Sequence, residues 1–447
     1  MGNPIVAIAK FHDAYESVSR VLELSGGLAG FHPGDKILIK PNLVEWDLDL
    51  PYAPWGVVTT SAVMGALVRC LAERGFRKLT IGEGTPLPRA KGKGRKVLRL
   101  LGYERLRERY GVELVDFDEE RFEDVDLGGI HLSVARRALE ADKIITVPTL
   151  KTHGICQVSL GIKNLKGCID RRSKKFCHDP EVTLDHTFPL LLTKLPVALN
   201  LIDGVYGLER GPTSNGRAYR RDLLVASTDV LAGDVVGARL MGHELAEVPH
   251  LQHYANLQGR LADVDRIETR GEPIEVHRLR FEWDTPWRED GSGPTAFDKV
   301  GISGLAFRKP DATVCTNCVC VLAPALVMLM AAYNNETSDT IEVINGKKTR
   351  ASAGFETTVL LGRCATALNK DNPNIARRIE LKTCPPDLDQ MIERLREAGV
   401  ECDYAVYEQF RRRAVGRYKE EDGFTLSMYS VAPESAPAGA DARAAGS

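Results

Sequence analysis

The chain has almost no net charge, no apolar run of membrane length and no leader-like beginning, and each absence removes a class of function. Formal net charge is −2 over 447 residues, so there is no global basic field to hold nucleic acid, and any anion binding must come from local clusters. The basic run from Arg89 to Arg99, with Lys91, Lys93, Arg95 and Lys96, reads as a solvated helix face. The longest apolar stretch, Val319 to Tyr333, falls short of the ~20 residues that a bilayer-crossing helix needs and reads as a buried helix. The opening Met1-Gly2-Asn3-Pro4-Ile5 has no basic region followed by an apolar core. No export signal is expected, and the chain is read as cytoplasmic with no membrane partner. Ten cysteines in a reducing compartment argue against a disulfide framework and for metal binding or thiol chemistry. Neither G-x-G-x-x-G nor a P-loop is present. Gly204, Gly207, Gly211 and Gly216 read instead as a flexible loop, and no nucleotide is expected.

What is there is a soluble-globular composition, 43% apolar and 27% charged, long enough for two or three domains. Residues 1–245 alternate short apolar runs with helical patterns, which predicts an α/β domain with a mostly parallel sheet. Strands are expected at Lys36–Lys40, Lys78–Gly82, Lys143–Val147 and Val197–Ile202, and helices at Ser61–Gly75 and Ala232–Gly242. Residues 246–310 read as a strand-poor linker or insertion. Residues 311–430 read as a smaller cysteine-bearing α/β domain. Residues 431–447 carry Ala, Pro, Gly, Ser and charge, the composition of a disordered tail.

The cysteines of that second domain have ligand-like spacing. Cys315-Thr316-Asn317-Cys318-Val319-Cys320 is a C-x2-C-x-C run, and a C-x2-C turn brings two thiolates to one side of a metal centre. Cys364 and Cys384 follow far downstream. Cys384 precedes a helix expected from Pro386 and Asp387 to Gly399, whose exposed N–H groups and dipole favour a thiolate or an anionic cluster. Cys315, Cys318, Cys364 and Cys384 are therefore the expected ligands of one iron–sulfur cluster, a [4Fe-4S] by cysteine count. A structural zinc is the alternative occupant of the same thiolates, and whether Cys320 replaces Cys364 or Cys384 stays open. Cys70, Cys156, Cys168, Cys177 and Cys402 read as core residues.

A second constellation lies in the first domain: Lys40, Asn42, Glu83, Lys151, His153, Lys163, Asn164, Lys166 and His178. Lys40 and Lys151 each follow an apolar strand, so a parallel sheet sets both at its carboxyl edge, where ligands bind in open α/β folds. Ammonium groups of Lys40, Lys151 and Lys163 with the amides of Asn42 and Asn164, and with His178, would make a carboxylate or phosphate pocket. His153 is the proton-transfer candidate because its ordinary pKa lies near neutrality. Close lysines depress one another, so a lysine base is a further expectation.

Together the motifs Ile39-Lys40-Pro41-Asn42, Val147 to His153, Leu160 to Gly167, Asp203-Gly204, Gly211-Pro212 and Ala226 to Asp229 with Asp234 resemble the DUF362 family, a domain of unknown function. The likeness covers about residues 5 to 245. It implies an α/β fold and an iron–sulfur association, since many members are iron–sulfur proteins, some with an appended ferredoxin module of two C-x2-C-x2-C runs. This chain departs from that module and would hold one cluster rather than two. The resulting expectation is an anaerobic-type iron–sulfur enzyme, of redox or hydro-lyase type, acting on a small anionic substrate, with a redox protein as its candidate partner. A non-catalytic iron–sulfur electron carrier and a zinc-stabilised binding protein are the competing classes.

Overall fold

The structure is a computed structural model that describes residues 2–44, 53–84, 93–213 and 215–431. The tail from 432 onward, and residues 89–92 of the basic run, lie outside the described residues; Lys93–Leu100 is a helix.

The first domain is built on strands β1 (Ile5–Lys10), β2 (Ile37–Pro41), β3 (Leu79–Glu83), β4 (Glu113–Asp116), the hairpin β5 (Phe122–Asp126) and β6 (His131–Ala135), β7 (Lys143–Val147), β8 (Thr149–His153), β9 (Gln157–Ser159), β10 (Val197–Glu209), β11 (Arg217–Ser227) and β12 (Glu268–Gly271). The main sheet runs β12-β1-β11-β10-β7-β2-β3-β4, with β8 and β9 branching from β10. Five of these neighbour pairs are parallel, and β11 is antiparallel to both β1 and β10. β2 and β7 are near-continuous apolar runs because helices cover both faces of the sheet. One face packs on Ala14–Ser25 and Ser61–Glu73, the other on Leu184–Leu191, Val230–Leu240 and Pro249–Leu257. Thr60 caps Ser61–Glu73, its side chain accepting from the Val63 N–H.

The glycine-rich stretch after Asp203 is a strand where a flexible loop was expected. β10 runs to Glu209, and Gly204 and Gly207 lie inside it. A Cβ at Gly204 would stand 2.8 Å from the Leu223 carbonyl, and one at Gly207 would stand 2.7 Å from the Phe281 ring. Glycine serves here for close approach within a bulged strand pair, not for flexibility.

The smaller domain carries β13 (Leu305–Phe307), β14 (Ile341–Ile344), β15 (Thr357–Leu361) and β16 (Arg377–Leu381) in sequential parallel order. Its core includes side chains of helices Thr316–Ala332, Leu388–Glu397 and Tyr404–Gly416. The stretch between the two predicted domains contributes to both sheets: β12 pairs with β1, and β13 pairs with β14. β12 is exposed along its whole length, so no buried periodicity marks it in the sequence. After Gly416 the chain returns to the first domain. Trp55 packs on Tyr418 and Phe424, and the Val431 N–H donates to the Leu101 carbonyl. No helix among the described residues is long and apolar enough to cross a membrane.

Candidate active site and cysteine centre

β2, β3, β8 and the turn of residues 161–168 bring the polar set of the first domain together at the carboxyl edge of the sheet. Lys40 and Lys151 lie within β2 and β8 rather than beyond them, and both side chains are completely buried. The Lys40 ammonium is paired with the Glu83 carboxylate and also donates to the Pro41 carbonyl (2.8 Å) and Asn164 Oδ1 (3.2 Å). The Lys151 ammonium donates to Asn42 Oδ1 (2.7 Å) and the Val57 carbonyl (2.6 Å). Asn164 ties the two layers, its Nδ2 donating to the Lys40 carbonyl and Thr146 Oγ1, its Oδ1 accepting from Asn42 Nδ2. Burial, followed by the charge of Lys163, pushes the Lys151 amine well below its usual range. Burial raises the Glu83 carboxyl against the attraction of Lys40 and Lys174. These groups form an inner floor of buried lysines with Glu83 as the carboxylate paired to Lys40.

Gly167 makes the Lys40–Glu83 pair possible. A Cβ there would fall 2.1 Å from Glu83 Oε1 and 2.6 Å from Lys40 Nζ. Gly167→Ala is expected to destabilise the protein by about 1–3 kcal/mol through overpacking, measured as a lower urea midpoint with unchanged slope. A midpoint equal to that of the parent protein would show that the turn moves aside freely.

His153, Lys163 and Lys166 are only half-buried and form the open rim above that floor. The His153 Nδ1 accepts from the backbone N–H groups of Ile155 (3.1 Å) and Cys156 (3.4 Å). Two donors aimed at Nδ1 leave the ring proton on Nε2. Burial, then the charges of Lys163 and Lys166, holds the imidazole well below its usual pKa. His153 is therefore a neutral imidazole that presents Nε2–H as a hydrogen-bond donor at the rim. Lys163 lies 5.9 Å over the Phe188 ring and has no hydrogen-bond or ion-pair partner among the described residues. Its amine is pushed down to about 8, by burial first.

His178 connects this rim to the smaller domain. Its Nδ1 donates to the Ala312 carbonyl (2.9 Å), so its Nε2 accepts from the Lys166 ammonium (2.9 Å). Burial, then the charge of Lys166, drives the ring down to about 2, so it stays neutral. The Lys347 ammonium donates to the His178 carbonyl (2.6 Å). His178, expected as a substrate-binding residue, thus has both ring nitrogens engaged by protein.

The four predicted ligand cysteines follow the carboxyl ends of β13, β15 and β16. Cys315 is the N-cap of Thr316–Ala332, and the Cys318 N–H donates to the Cys315 carbonyl. Cys364 lies in the first turn after β15, and Cys384 follows β16. The Cys315 and Cys318 thiols are hydrogen-bonded, which lowers Cys315 and raises Cys318. Burial and the charges of Cys315, Cys364 and Cys384 raise Cys318 further. Its sulfur rests against Gly362, where a Cβ would be 3.2 Å away and where φ is +94°, a conformation that favours glycine. Lys175 donates to Cys384 Sγ at 3.6 Å. No group of three or more His, Cys, Asp or Glu side chains among the described residues has metal-holding geometry. The set fits a cluster or zinc in donor chemistry, and binding would require loss of the thiol protons and approach of the three segments that carry the four sulfurs. Cys320 is exposed and donates to the Thr316 carbonyl (3.2 Å). Cys70, Cys156, Cys168, Cys177 and Cys402 are buried.

Residues that the sequence did not single out complete the site. Lys174 stands near Asp118 and Glu83, Lys175 and Lys347 bond across the domain junction, and Thr59 and Thr146 anchor the asparagines. Asp234 accepts from the N–H groups of Gly161 (2.7 Å) and Ile162 (2.8 Å) and from Asn200 Nδ2 (2.8 Å), which fixes the turn bearing Lys163. Burial lifts its carboxyl to about 7. The sequence marked Asp234 through the motif it shares with the family, but not that it holds this turn.

Among curated proteins, the chain is 28% identical over 238 residues to the thylakoid-associated protein sll1697 of Synechocystis, which is 52% of this chain and 71% of that protein. Among solved structures, the lactate racemase apoprotein from Thermoanaerobacterium thermosaccharolyticum aligns at 13% identity and TM-score 0.32, over 54% of this chain and 57% of that one. A structural-genomics protein from Thermotoga maritima aligns at 14% identity and TM-score 0.32, over 56% and 60%. The alignments thus span less than two thirds of either solved chain, and at that score they bear on neither activity nor ligand. Residues 37–239, which hold the lysine–histidine site in full, match the family described as domain of unknown function DUF362, and this part of the chain is a DUF362 domain.

Proposed function

We propose that the protein is an iron–sulfur enzyme of the cytoplasm that acts on a small carboxylate or phosphate at the rim of its DUF362 domain. The observation that carries the reading is the shared address of the two constellations. Lys166 bonds His178, and His178 bonds the Ala312 carbonyl in the loop that leads into Cys315. Five buried or half-buried lysines, Lys40, Lys151, Lys163, Lys166 and Lys174, crowd the site with Glu83 as the carboxylate paired to Lys40. Such an excess of positive charge favours an anion as its counterpart.

Lys163 and Lys166 would bind the anion, with Lys40 and Lys151 adding field from behind. His153 would donate Nε2–H to an oxygen where negative charge develops. Lys163, whose amine is partly free base near neutrality, would take or return a proton. Cys315, Cys318, Cys364 and Cys384 would hold the cluster, and Lys175 and the helix N-terminus at Cys315 would offset its negative charge. When bound, such a group supplies electron relay, or Lewis acidity if one iron lacks a cysteine. A redox protein would then be the partner in the relay case.

Anaerobic purification followed by iron, sulfide and zinc analysis tests the reading. Iron and sulfide in equal amounts with a brown absorption band are the expected result. A colourless protein holding one zinc would transfer the site to the zinc-stabilised class.

A further inference from the structure

We propose that Lys163 is a covalent group, its side-chain amine condensing with the carbonyl carbon of a 2-oxo carboxylate bound at the rim. This deepens the reading of the site as one for small anions and rests on it. Four lysines surround the position and three are committed elsewhere. Lys40 is held by Glu83, Lys151 is wholly buried against Asn42 and the Val57 carbonyl, and Lys166 is tied to His178. Lys163 alone of the four has no acceptor: it stands over the face of Phe188 with no hydrogen-bond or ion-pair partner among the described residues. An ammonium in that setting loses hydration and gains only a weak ring attraction, whereas a neutral amine loses little. Neighbouring Lys166 and Lys40 press the same way, and the amine is pushed down to about 8.

The step balances without oxidant or reductant. The Lys163 nitrogen lone pair forms the N–C bond as the carbonyl π pair moves to oxygen. One proton passes from nitrogen to that oxygen to give the carbinolamine, the second nitrogen proton follows it, and the C–O bond breaks with loss of water to leave the neutral imine. His153 supplies the Nε2–H for the carbonyl oxygen. Lys166, with one proton shared with His178, retains two for the substrate carboxylate. A 2-oxo acid is the class that meets these groups at once, because it sets a carboxylate beside an electrophilic carbonyl.

The test incubates the full chain at pH 7 with pyruvate, oxaloacetate or 2-oxoglutarate and cyanoborohydride, then maps adducts by mass spectrometry. One trapped acid on the peptide containing Lys163 is expected. Its free-base fraction alone makes trapping about 100-fold faster than at an ordinary lysine. The adduct should vanish in Lys163→Arg and persist in the exposed-lysine control Lys194→Arg. No adduct, an adduct mapped to another lysine, or one that survives Lys163→Arg overturns the proposal, and mapping on the parent protein stands even if a variant misfolds. Succinate, which has no ketone, separates the two readings through its thermal shift. Stabilisation by succinate without trapping of any oxo acid removes the covalent step and keeps the anion site. No stabilisation by any of the four acids, together with no adduct, removes both.

Discussion

Glu83→Ala is expected to lower the stability of the full chain by about 3–5 kcal/mol, because it leaves Lys40 buried without its counter-charge. The side chains of Lys40 and Glu83 are 1% and 12% exposed, so solvent screens little of the interaction. The loss spreads beyond the pair, since Glu83 also offsets the charges of Lys151 and Lys174. Glu83→Ala should therefore leave Lys40 and Lys151 without a carboxylate to oppose them, while Lys174 keeps the attraction of Asp118. Removing both partners is a different perturbation. Lys40→Met with Glu83→Leu deletes two desolvation penalties at once and should recover at least half of the loss, although the Pro41 carbonyl is left without its donor. Urea unfolding of the single and double variants measures both terms. A single variant within about 1 kcal/mol of the parent would mean that water reaches Lys40 and that the floor is solvated.

Cys364→Ser and Cys384→Ser are each expected to remove most of the iron from anaerobically reconstituted protein. A lost ligand should exceed the roughly 10–100-fold effect that outer-shell partners have on metal affinity. The structure offers a matched control in Cys320→Ser, whose thiol donates to the Thr316 carbonyl and lies on the exposed side of its helix. Cys320→Ser should keep its iron. Metal analysis and absorption on the three variants, with circular dichroism to confirm folding, decides which sulfurs matter. If the Cys320 variant loses iron and the Cys384 variant retains it, the ligand set is the compact C-x2-C-x-C run with Cys364. That outcome would relocate the centre along one helix turn rather than across two strand ends.

The same comparison separates what could be read along the chain from what required folding. β2, β3 and β7 announced themselves as apolar runs, and the lysines near their ends implied one polar edge, because a parallel sheet aligns its strand termini. The spacing of Cys315, Cys318, Cys364 and Cys384 suggested one ligand set, whereas their places after β13, β15 and β16 came only with the fold. Exposure was not legible. Lys40 and Lys163 look alike in one dimension, yet the first is sealed beneath Gly167 and Glu83 while the second faces Phe188 without a partner.

Residue type and order thus determined the α/β class, four strands of the main sheet (β2, β3, β7 and the start of β10) and the residues worth watching, because periodicity and chain punctuation are local properties. Tertiary structure alone decided which lysines are floor and which are rim, that His153 donates through Nε2, and that His178 joins the two domains by bonding a backbone carbonyl. Each of those depends on the direction and burial of atoms brought from distant parts of the chain. Hydrogen bonding and desolvation act on that arrangement, and no pattern of neighbours in sequence encodes it.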